Sequence, residues 1–412
     1  MNECMKYKLR MQKGYQVKID TVFTLEEAKN KFAPLRDVAI CNTLQYIYSK
    51  TEGGAIFFCP KLNKFVALIN IKYKNTWHKE MQVTAEDIKL YIKEKEKAFA
   101  CRKAPYVKLK PISKWTNNGC LINMYDFHQL FNSYTYEIID MFREMTKTNI
   151  KTKINLTKPF IIWLKDFPLL PITTPGPFIP IFSQSTCPNY ADIAIPNNEE
   201  WAMITKKYYP TKCKFDDIDA IMNVSWENKI EKAFFRGSGT GCFSDDRNPR
   251  FHVSRLSKLH PDLLDAGITR CVQRDKMEDD IIVQTHPTGL DFNLSPEVPM
   301  PEFGRYKYIL NIKGNGAAYR LPYLFFLGSV VLIVQTKFSL WFEPALVPWK
   351  HYIPIREDLS NLTDVVVWCR ANDAKARKIA LQGQEFAKEW FTRNNITFYM
   401  SSLVKSLGLC AK

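Results

Sequence analysis

The second half of the chain alternates strand patterns with helix patterns, and this alternation restricts the fold more than any other feature. From about residue 229, the strand patterns KAFFRG, YKYILNIKG, SVVLIVQ and HYIPI are separated by the helix patterns PRFHVSRLSKLH, AAYRLPYLFFLG and DLSNLTDVVVWCRAND. SVVLIVQ is an unbroken apolar run, which is typical of a strand buried on both faces of a parallel sheet. The pattern predicts a Rossmann-like α/β layer. We expect Pro322 to interrupt the second helix and Asp358 or a nearby serine to cap the third.

Two glycine-rich loops follow strands of this predicted sheet. The first is FFRGSGTG, residues 234–241, and the second is NIKGNGAAYR, residues 311–320, which reads as a strand end, a turn and a helix start. Ligands bind open α/β sheets at the edge where strands end. Arg250 follows the first loop and Arg320 ends the second, so exposed N–H groups, hydroxyls and guanidinium groups together suit a diphosphate. A glycine turn with a purely structural role has the same pattern.

Several common site types are excluded by their motifs. No GK[ST] follows either glycine loop, so neither is a Walker A, and GNGAAY lacks the last glycine or alanine of a dinucleotide fingerprint. The 11 cysteines form no CxxC pair, and the 6 histidines have no ligand spacing. Dispersed cysteines indicate reduced thiols, and we expect neither a metal nor a permanently bound cofactor.

Length and charge restrict the organisation and the partners. The 412 residues suffice for two or three domains with their own cores. The first 120 residues hold 23 Lys and Arg against 11 Asp and Glu, which is most of the net charge of +16. Such an excess attracts a polyanion or a membrane surface, but a solvated lysine-rich face has the same composition. No run is apolar enough to span a membrane, and the start is too polar for a secretory signal, so a cytoplasmic protein is expected, with peripheral membrane contact left open.

The first half reads as a mixed α and β region. AIFFCP and KFVALINIKY predict strands around the turn KLNK, and TAEDIKLYIKEKEKAFA predicts a capped amphipathic helix over 84–100. A helix pattern over 126–145 and the strand PFIIWLKDF come next. The chain then passes through a connection with six prolines, from Pro168 to Pro188, which excludes regular helix. Asp166 stands between that strand and this connection, where the wall of a cleft is expected.

Four segments resemble one known family. FFRGSGTG…RNPR, YKYILNIKGNGAAYRLPYLFFLGSVVL, WFEPALVPWKHYIPIREDLSNL and NDAKARKIALQGQEFA occur in this order. They are similar to the Rumi-type protein O-glucosyltransferases and capsule-associated xylosyltransferases, which form glycosyltransferase family 90. The resemblance covers roughly residues 155–400, and the run from Tyr306 to Leu359 is its most specific part.

The resemblance implies a GT-B architecture, in which two Rossmann-like domains face each other across a cleft. We expect an acceptor-side domain over 106–215, a UDP-sugar domain over 216–385 and a C-terminal helix over 386–412 that packs back on the acceptor side. Residues 1–105 would form an additional basic α+β region, because nothing comparable to the family is visible there.

The resemblance also implies an inverting transfer of glucose or xylose from a UDP-sugar to a hydroxyl group of a glycan or protein. The segment WLKDFP stands at the family's catalytic position, which makes Asp166 the candidate base. Independently, an inverting transfer needs one carboxylate to accept the proton of the attacking hydroxyl while cations stabilise the departing UDP. The donor-binding candidates are Gly237, Ser238, Thr240, Arg250, Gly314, Asn315, Gly316, Ala317, Arg320 and Glu343. Glu343 bonds a ribose or sugar hydroxyl in this interpretation, and is a helix-start carboxylate in the alternative.

The sequence departs from the animal members of the family at three points. Gly239 stands where they carry an arginine, Lys165 replaces the arginine before the catalytic aspartate, and their endoplasmic-reticulum leader and cysteine pairs have no counterpart. These departures suggest a cytosolic or viral branch. The alternative hypothesis is an inactive protein of the same fold whose basic region binds nucleic acid or another polyanion. Nucleic acid is not the expected partner, because no RNP, zinc-finger or basic-helix motif is present.

Overall fold

The structure, a computed structural model, contains two large β-sheets with helices packed around them. Counted over the described residues, the first sheet has six strands and the second has five. The residues that the structure describes are 20–22, 24–32, 37–49, 54–69, 133–147, 154–205, 224–241, 246–271, 276–278, 281–283 and 290–411.

The first sheet combines strands from both sides of the boundary predicted near residue 105. Its strands are β1 (Asp20–Val22), β2 (Gly54–Cys59), β3 (Lys64–Ile69), β4 (Phe160–Trp163), β5 (Ile181–Ser183) and β6 (Ile193–Ala194). They lie in the order β1-β3-β2-β4-β5-β6. β2 pairs antiparallel with β3 and with β4, and the remaining pairs are parallel. Strands before and after residue 105 therefore share one sheet.

The strands predicted from AIFFCP and KFVALINIKY are confirmed as β2 and β3. Between them lies a short 3-10 helix, Pro60–Leu62, followed by Asn63 in the left-handed conformation with φ 47°. Asparagine tolerates this conformation better than most residues, which explains the turn. The helix predicted over 84–100 lies outside the described residues.

Helices cover both faces of the first sheet. They are α1 (Leu25–Phe32), α2 (Val38–Ser49), α3 (Ser133–Lys147) and α4 (Asn198–Thr205). Successive side chains of β4 point to opposite faces. Ile161 and Trp163 share a buried cluster with residues of α2, whereas Phe160 and Ile162 share another with residues of α3. Burial on both faces fixes β4, and with it the chain that leads to Asp166.

The second sheet is parallel and has its topological switch point between β7 and β11. Its strands are β7 (Ile230–Gly239), β8 (Leu264–Cys271), β11 (Tyr306–Asn311), β12 (Val330–Val334) and β13 (Ile353–Ile355), and a separate hairpin joins β9 (Lys276–Glu278) to β10 (Ile281–Val283). The order is β13-β12-β11-β7-β8. The chain moves outward from β7 to β8 and returns to β11 on the other side of β7. Ligands bind beyond the carboxyl ends of the strands at such a point.

The helices of this half are α5 (Pro249–Leu259), α6 (Leu321–Phe326), α7 (Leu362–Ala371), α8 (Asp373–Trp390) and α9 (Arg393–Ser406). Two details differ from the sequence predictions. Helix α6 begins only at Leu321, so Pro322 lies in its first turn, where a missing N–H costs nothing, rather than interrupting it. Asn361 occupies the N-cap position of α7 without a side-chain capping bond, and Asp358 instead accepts a hydrogen bond from the N–H of Ser360 in the preceding turn.

The end of the chain returns to the first sheet. Helix α9 packs on α3, and the hydroxyl of Tyr399 donates to the carbonyl oxygen of Ala194 at 2.9 Å. After the helix, the carbonyl oxygen of Leu409 accepts hydrogen bonds from the N–H groups of Thr157 and Lys158. Among the described helices, none combines the length and the apolar character needed to span a membrane.

Candidate functional site

The two glycine-rich loops meet at the switch point. β7 and β11 are neighbouring parallel strands, so their carboxyl ends lie side by side. A Cβ atom on Gly314 would lie 2.6 Å from the Oγ1 of Thr240 and 3.2 Å from the Nη2 of Arg250. Real Cβ atoms do not approach other atoms within 3.0 Å, so the second loop can lie on the first only because residue 314 is glycine.

Arg250 holds the two loops together. It lies in the first turn of α5, where its N–H binds the side chain of the helix cap Asn248. Its guanidinium makes four hydrogen bonds of 2.8–2.9 Å, which go to the carbonyl oxygens of Lys313, Ser238 and Ile312 and to Oγ1 of Thr240. Four of its five N–H groups are thus used within the protein. Arg250 lies beside the two loops, as the sequence predicted, but most of its hydrogen bonds join one loop to the other.

Arg320 is bonded much less completely. Its Nη1 donates to the carbonyl oxygen of Arg236 at 2.6 Å, and its guanidinium lies 4.7 Å from the centre of the Phe235 ring. Its Nε and Nη2 atoms are buried and have no hydrogen-bond partner among the described residues. Buried donors without partners are rare in proteins, because each costs the free energy of its lost hydration. Arg320 therefore offers two donors to a ligand.

Arg250 and Arg320 form a half-buried positive site. Burial lowers the pKa of Arg250 to about 9, with the positive charge of Arg320 as the second cause, and burial also lowers the pKa of Arg320 to about 10. Both stay charged at neutral pH. Within the described residues, no ion pair links a carboxylate to either guanidinium. An anion bound here would relieve the repulsion between the two cations.

Asp166 contacts the second glycine loop. Its carbonyl oxygen accepts hydrogen bonds from the hydroxyls of Tyr319 and Ser185, both at 3.0 Å. A Cβ atom on Gly316 would lie only 2.1 Å from that oxygen. Tyr319 immediately precedes Arg320, so one short stretch of chain contacts the candidate base and also carries the candidate phosphate ligand. The structure thus brings the sequence-predicted base to the edge of the sequence-predicted donor site.

Three further carboxyl groups lie near this junction with raised pKa values. Burial raises the pKa of Glu200 to about 8, even though the indole N–H of Trp341 binds its Oε2 at 2.7 Å. Burial raises the pKa of Glu343 to about 7, and its Oε1 accepts the N–H of Leu340. Glu199 retains solvent access, yet desolvation by the surrounding protein raises its pKa to about 7, and the negative charge of Asp166 adds to this.

The remaining sequence candidates lie at the end of β7, in the second loop and in a separate short helix. β7 extends through Gly239, so Gly237 and Ser238 are the two residues before its last rather than part of a loop. Asn315 and Ala317 are half-buried in the second loop, and Glu343 begins the 3-10 helix Glu343–Ala345. Glu343 therefore lies at a helix start, as one of the two sequence interpretations expected. Its Oε1 binds the N–H of Leu340, so its Oε2 is available to accept a hydrogen bond from a ligand. At Gly239, a Cβ atom would lie 3.0 Å from the Phe251 ring and 3.1 Å from Ile268, so packing explains glycine where animal relatives carry arginine.

Sequence reasoning missed Tyr319, Ser185 and Arg270. Tyr319 belongs to the second glycine loop, but nothing in the sequence indicates that its hydroxyl contacts Asp166, which is 153 residues away along the chain. The Nε of Arg270 donates to Oγ of Ser238 at 2.9 Å. This contact arises because β8 pairs with β7, which sequence spacing does not reveal. In the part of the chain that the structure describes, no group of His, Cys, Asp and Glu side chains is arranged to hold a metal ion.

Curated proteins similar to this chain include viral proteins and animal enzymes. Uncharacterized protein 179R of Invertebrate iridescent virus 6 is 30% identical over 89% of this chain and 37% of its own length. Mouse protein O-glucosyltransferase 3 is 33% identical over 65% of this chain and 50% of its own length. Human protein O-glucosyltransferase 1 is 32% identical over 59% of this chain and 60% of its own length. The chain thus spans between about a third and three-fifths of these relatives.

Solved structures give only a weak likeness. The structure of Anabaena Alr3699/HepE in complex with UDP-glucose aligns over 48% of this chain and 54% of the Anabaena chain, at 10% identity and a TM-score of 0.31. The model of glycosyl transferase family 90 matches residues 152–409, more than half of the sequence and the whole of the site described above. The chain is a member of glycosyl transferase family 90.

Proposed function

We propose that this protein is an inverting glycosyltransferase that moves glucose or xylose from a UDP-sugar to a hydroxyl group of a glycan or protein. The observation that carries the proposal is the pair Arg250 and Arg320 at the switch point of a parallel sheet. Both guanidinium groups are partly buried, and within the described residues neither has a carboxylate partner. Such a site suits a diphosphate, whose oxygens accept several charge-assisted hydrogen bonds.

Asp166 supplies the second half of the chemistry. In an inverting transfer, its carboxylate accepts the proton of the acceptor hydroxyl while that oxygen attacks the anomeric carbon of the donor sugar. The bond between that carbon and the diphosphate oxygen breaks, and UDP leaves with the bonding electrons. Arg320, with its two unpartnered donors, stabilises the charge on the departing diphosphate. This arrangement needs no metal ion.

Family membership supports the donor class. The similar animal enzymes are named protein O-glucosyltransferases, which favours UDP-glucose and a protein hydroxyl as the first substrates to test. The similar viral proteins carry no functional name. We therefore propose the UDP-sugar class as the donor, with both glucose and xylose included.

A panel of UDP-sugars incubated with the protein tests the proposal, because hydrolysis of the donor requires no knowledge of the acceptor. We expect UDP release from UDP-glucose or UDP-xylose, and binding of UDP in isothermal titration. If no common UDP-sugar is cleaved and UDP does not bind, the proposal is wrong. UDP binding without turnover, together with polyanion binding that falls steeply with salt, would instead favour the inactive, polyanion-binding alternative.

A further inference from the structure

Arg270 lies on the first glycine loop although it belongs to a different strand. It is near the end of β8, where Cys271 pairs with Gly239 of β7. Its Nε donates to Oγ of Ser238, and its side chain is exposed. No hydrogen bond or ion pair with another described residue involves its Nη1 and Nη2 groups. A cation thus projects from the edge of the predicted donor site with four N–H groups available.

We propose that Arg270 and Ser238 act together to bind the diphosphate of the donor, with Arg270 as a further arginine of the site beside Arg250 and Arg320. This inference rests on the function proposed above and names a residue that carries it out.

The hydrogen bonding of Ser238 supports this assignment. A serine hydroxyl has one proton to donate and two lone pairs to accept. Arg270 occupies a lone pair of Oγ, and no described group accepts the hydroxyl proton. The main-chain oxygen of Ser238 is held by Nη1 of Arg250 at 2.8 Å, which fixes the residue. The Ser238 proton is therefore available for an anion, and the adjacent positive charge makes the hydroxyl a stronger donor.

The hydrogen bonding of Arg250 leaves a role for a further cation. Arg250 uses four N–H groups on the loops, so it has one left for a ligand. Arg320 binds the carbonyl oxygen of Arg236, two residues before Ser238. Arg320 and Arg270 thus contact residues that are two positions apart at the carboxyl end of β7. Both cations are therefore held at the strand end that borders the predicted donor site.

A double-mutant cycle on UDP affinity tests the inference. Arg270→Ala is expected to weaken UDP binding about 10-fold, and Arg270→Lys to recover part of that loss because it retains the charge. Ser238→Ala is expected to weaken binding less. If the two residues act together, Arg270→Ala in the Ser238→Ala background should cost clearly less than it does in the wild-type protein. Uridine, which has no phosphate, should bind all these variants and the wild type equally.

Arg255→Ala is the matched control, because Arg255 is also an arginine of this region but pairs with Asp246 and Asp291. It should leave UDP affinity unchanged. Wild-type UDP affinity in Arg270→Ala, or an equal loss for uridine and UDP, overturns the inference while leaving the proposed function intact. Absence of UDP binding by the wild-type protein overturns both. Thermal unfolding of each variant separates loss of fold from loss of binding.

Discussion

The phenolic hydroxyl of Tyr319 donates a hydrogen bond to the main-chain carbonyl oxygen of Asp166 at 3.0 Å. Tyr319 belongs to the loop after β11, in the parallel sheet, and Asp166 follows β4, in the other sheet. Burial and the nearby negative charge of Asp166 raise the pKa of Tyr319, so the phenol keeps its proton and remains a donor. The bond therefore joins the candidate base to the segment that carries Arg320.

Tyr319→Phe should reduce turnover without changing donor affinity. The substitution removes one hydrogen bond to the backbone of Asp166 and leaves the ring in place. A hydrogen bond of this kind contributes about 1 kcal/mol, which corresponds to roughly a 5-fold loss in kcat if it holds the base in position. The measurements are the initial rate of UDP-sugar hydrolysis and the Kd of UDP.

Tyr399→Phe is the control for that experiment. Its hydroxyl also donates to a main-chain oxygen, that of Ala194, but it does not contact Asp166. Both variants should lose similar stability, and only Tyr319→Phe should lose turnover. Equal rates in the two variants would show that the Tyr319 bond has no part in placing the base.

Asp166→Asn should abolish turnover and leave UDP affinity nearly unchanged. The amide has almost the same shape, and the main-chain bonds to Tyr319 and Ser185 remain, but it cannot accept the proton of the attacking hydroxyl. General-base catalysis contributes on the order of 10²- to 10⁴-fold, so the rate should fall by at least about 100-fold. A parallel loss of UDP binding would identify Asp166 as a structural residue instead.

Arg320→Ala should weaken UDP binding by about 1.5–3 kcal/mol, the contribution of hydrogen bonds to a charged group. This corresponds to about a 10- to 150-fold increase in Kd. Arg377→Ala is a suitable control, because Arg377 is exposed and pairs with Glu227. Unaltered UDP affinity in Arg320→Ala would remove this residue from the phosphate site.

Gly316→Ala should lower both stability and turnover. The new methyl carbon would lie 2.1 Å from the carbonyl oxygen of Asp166, which is backbone and cannot move aside alone, so the loop and the base must separate. Overpacking of this kind costs about 1–3 kcal/mol. Gly408→Ala provides the comparison: its φ of 60° makes the change strained, but the nearest atom is Nζ of Lys158 at 3.7 Å. Its stability should fall while its kcat stays at the wild-type value.

The free energy of unfolding should contain a component from Glu200 that falls as the pH rises from about 5 to 8. Burial raises the pKa of Glu200 from 4.5 to about 8, so in this range the native state holds a proton that the unfolded state has released. Stability then decreases with pH. Glu200→Gln removes the ionisation, so the wild-type stability minus the variant stability, from urea titrations, should decrease over this range. A difference that is constant with pH would show that Glu200 ionises normally.

The sequence determined the parallel sheet and the positions of its two glycine loops. SVVLIVQ and YKYILNIKG form β12 and β11. Continuous apolar strands must be buried on both faces, and the helices that alternate with the strands bury them. It also located Asp166 after a strand and Arg250 and Arg320 beside the loops. These predictions succeeded because strand ends, loops and helix starts are local properties, which short windows of sequence encode.

Only the tertiary structure decided what each side chain contacts. It assigned Arg250 to the loop carbonyls, left two donors of Arg320 without partners, and placed Tyr319 on Asp166 and Arg270 on Ser238. The physical reason is that these contacts depend on strand order and on how the two sheets pack. Strand order and sheet packing are set by the burial of apolar surface between residues far apart in the sequence. They produce no pattern in the short sequence around each contacting residue.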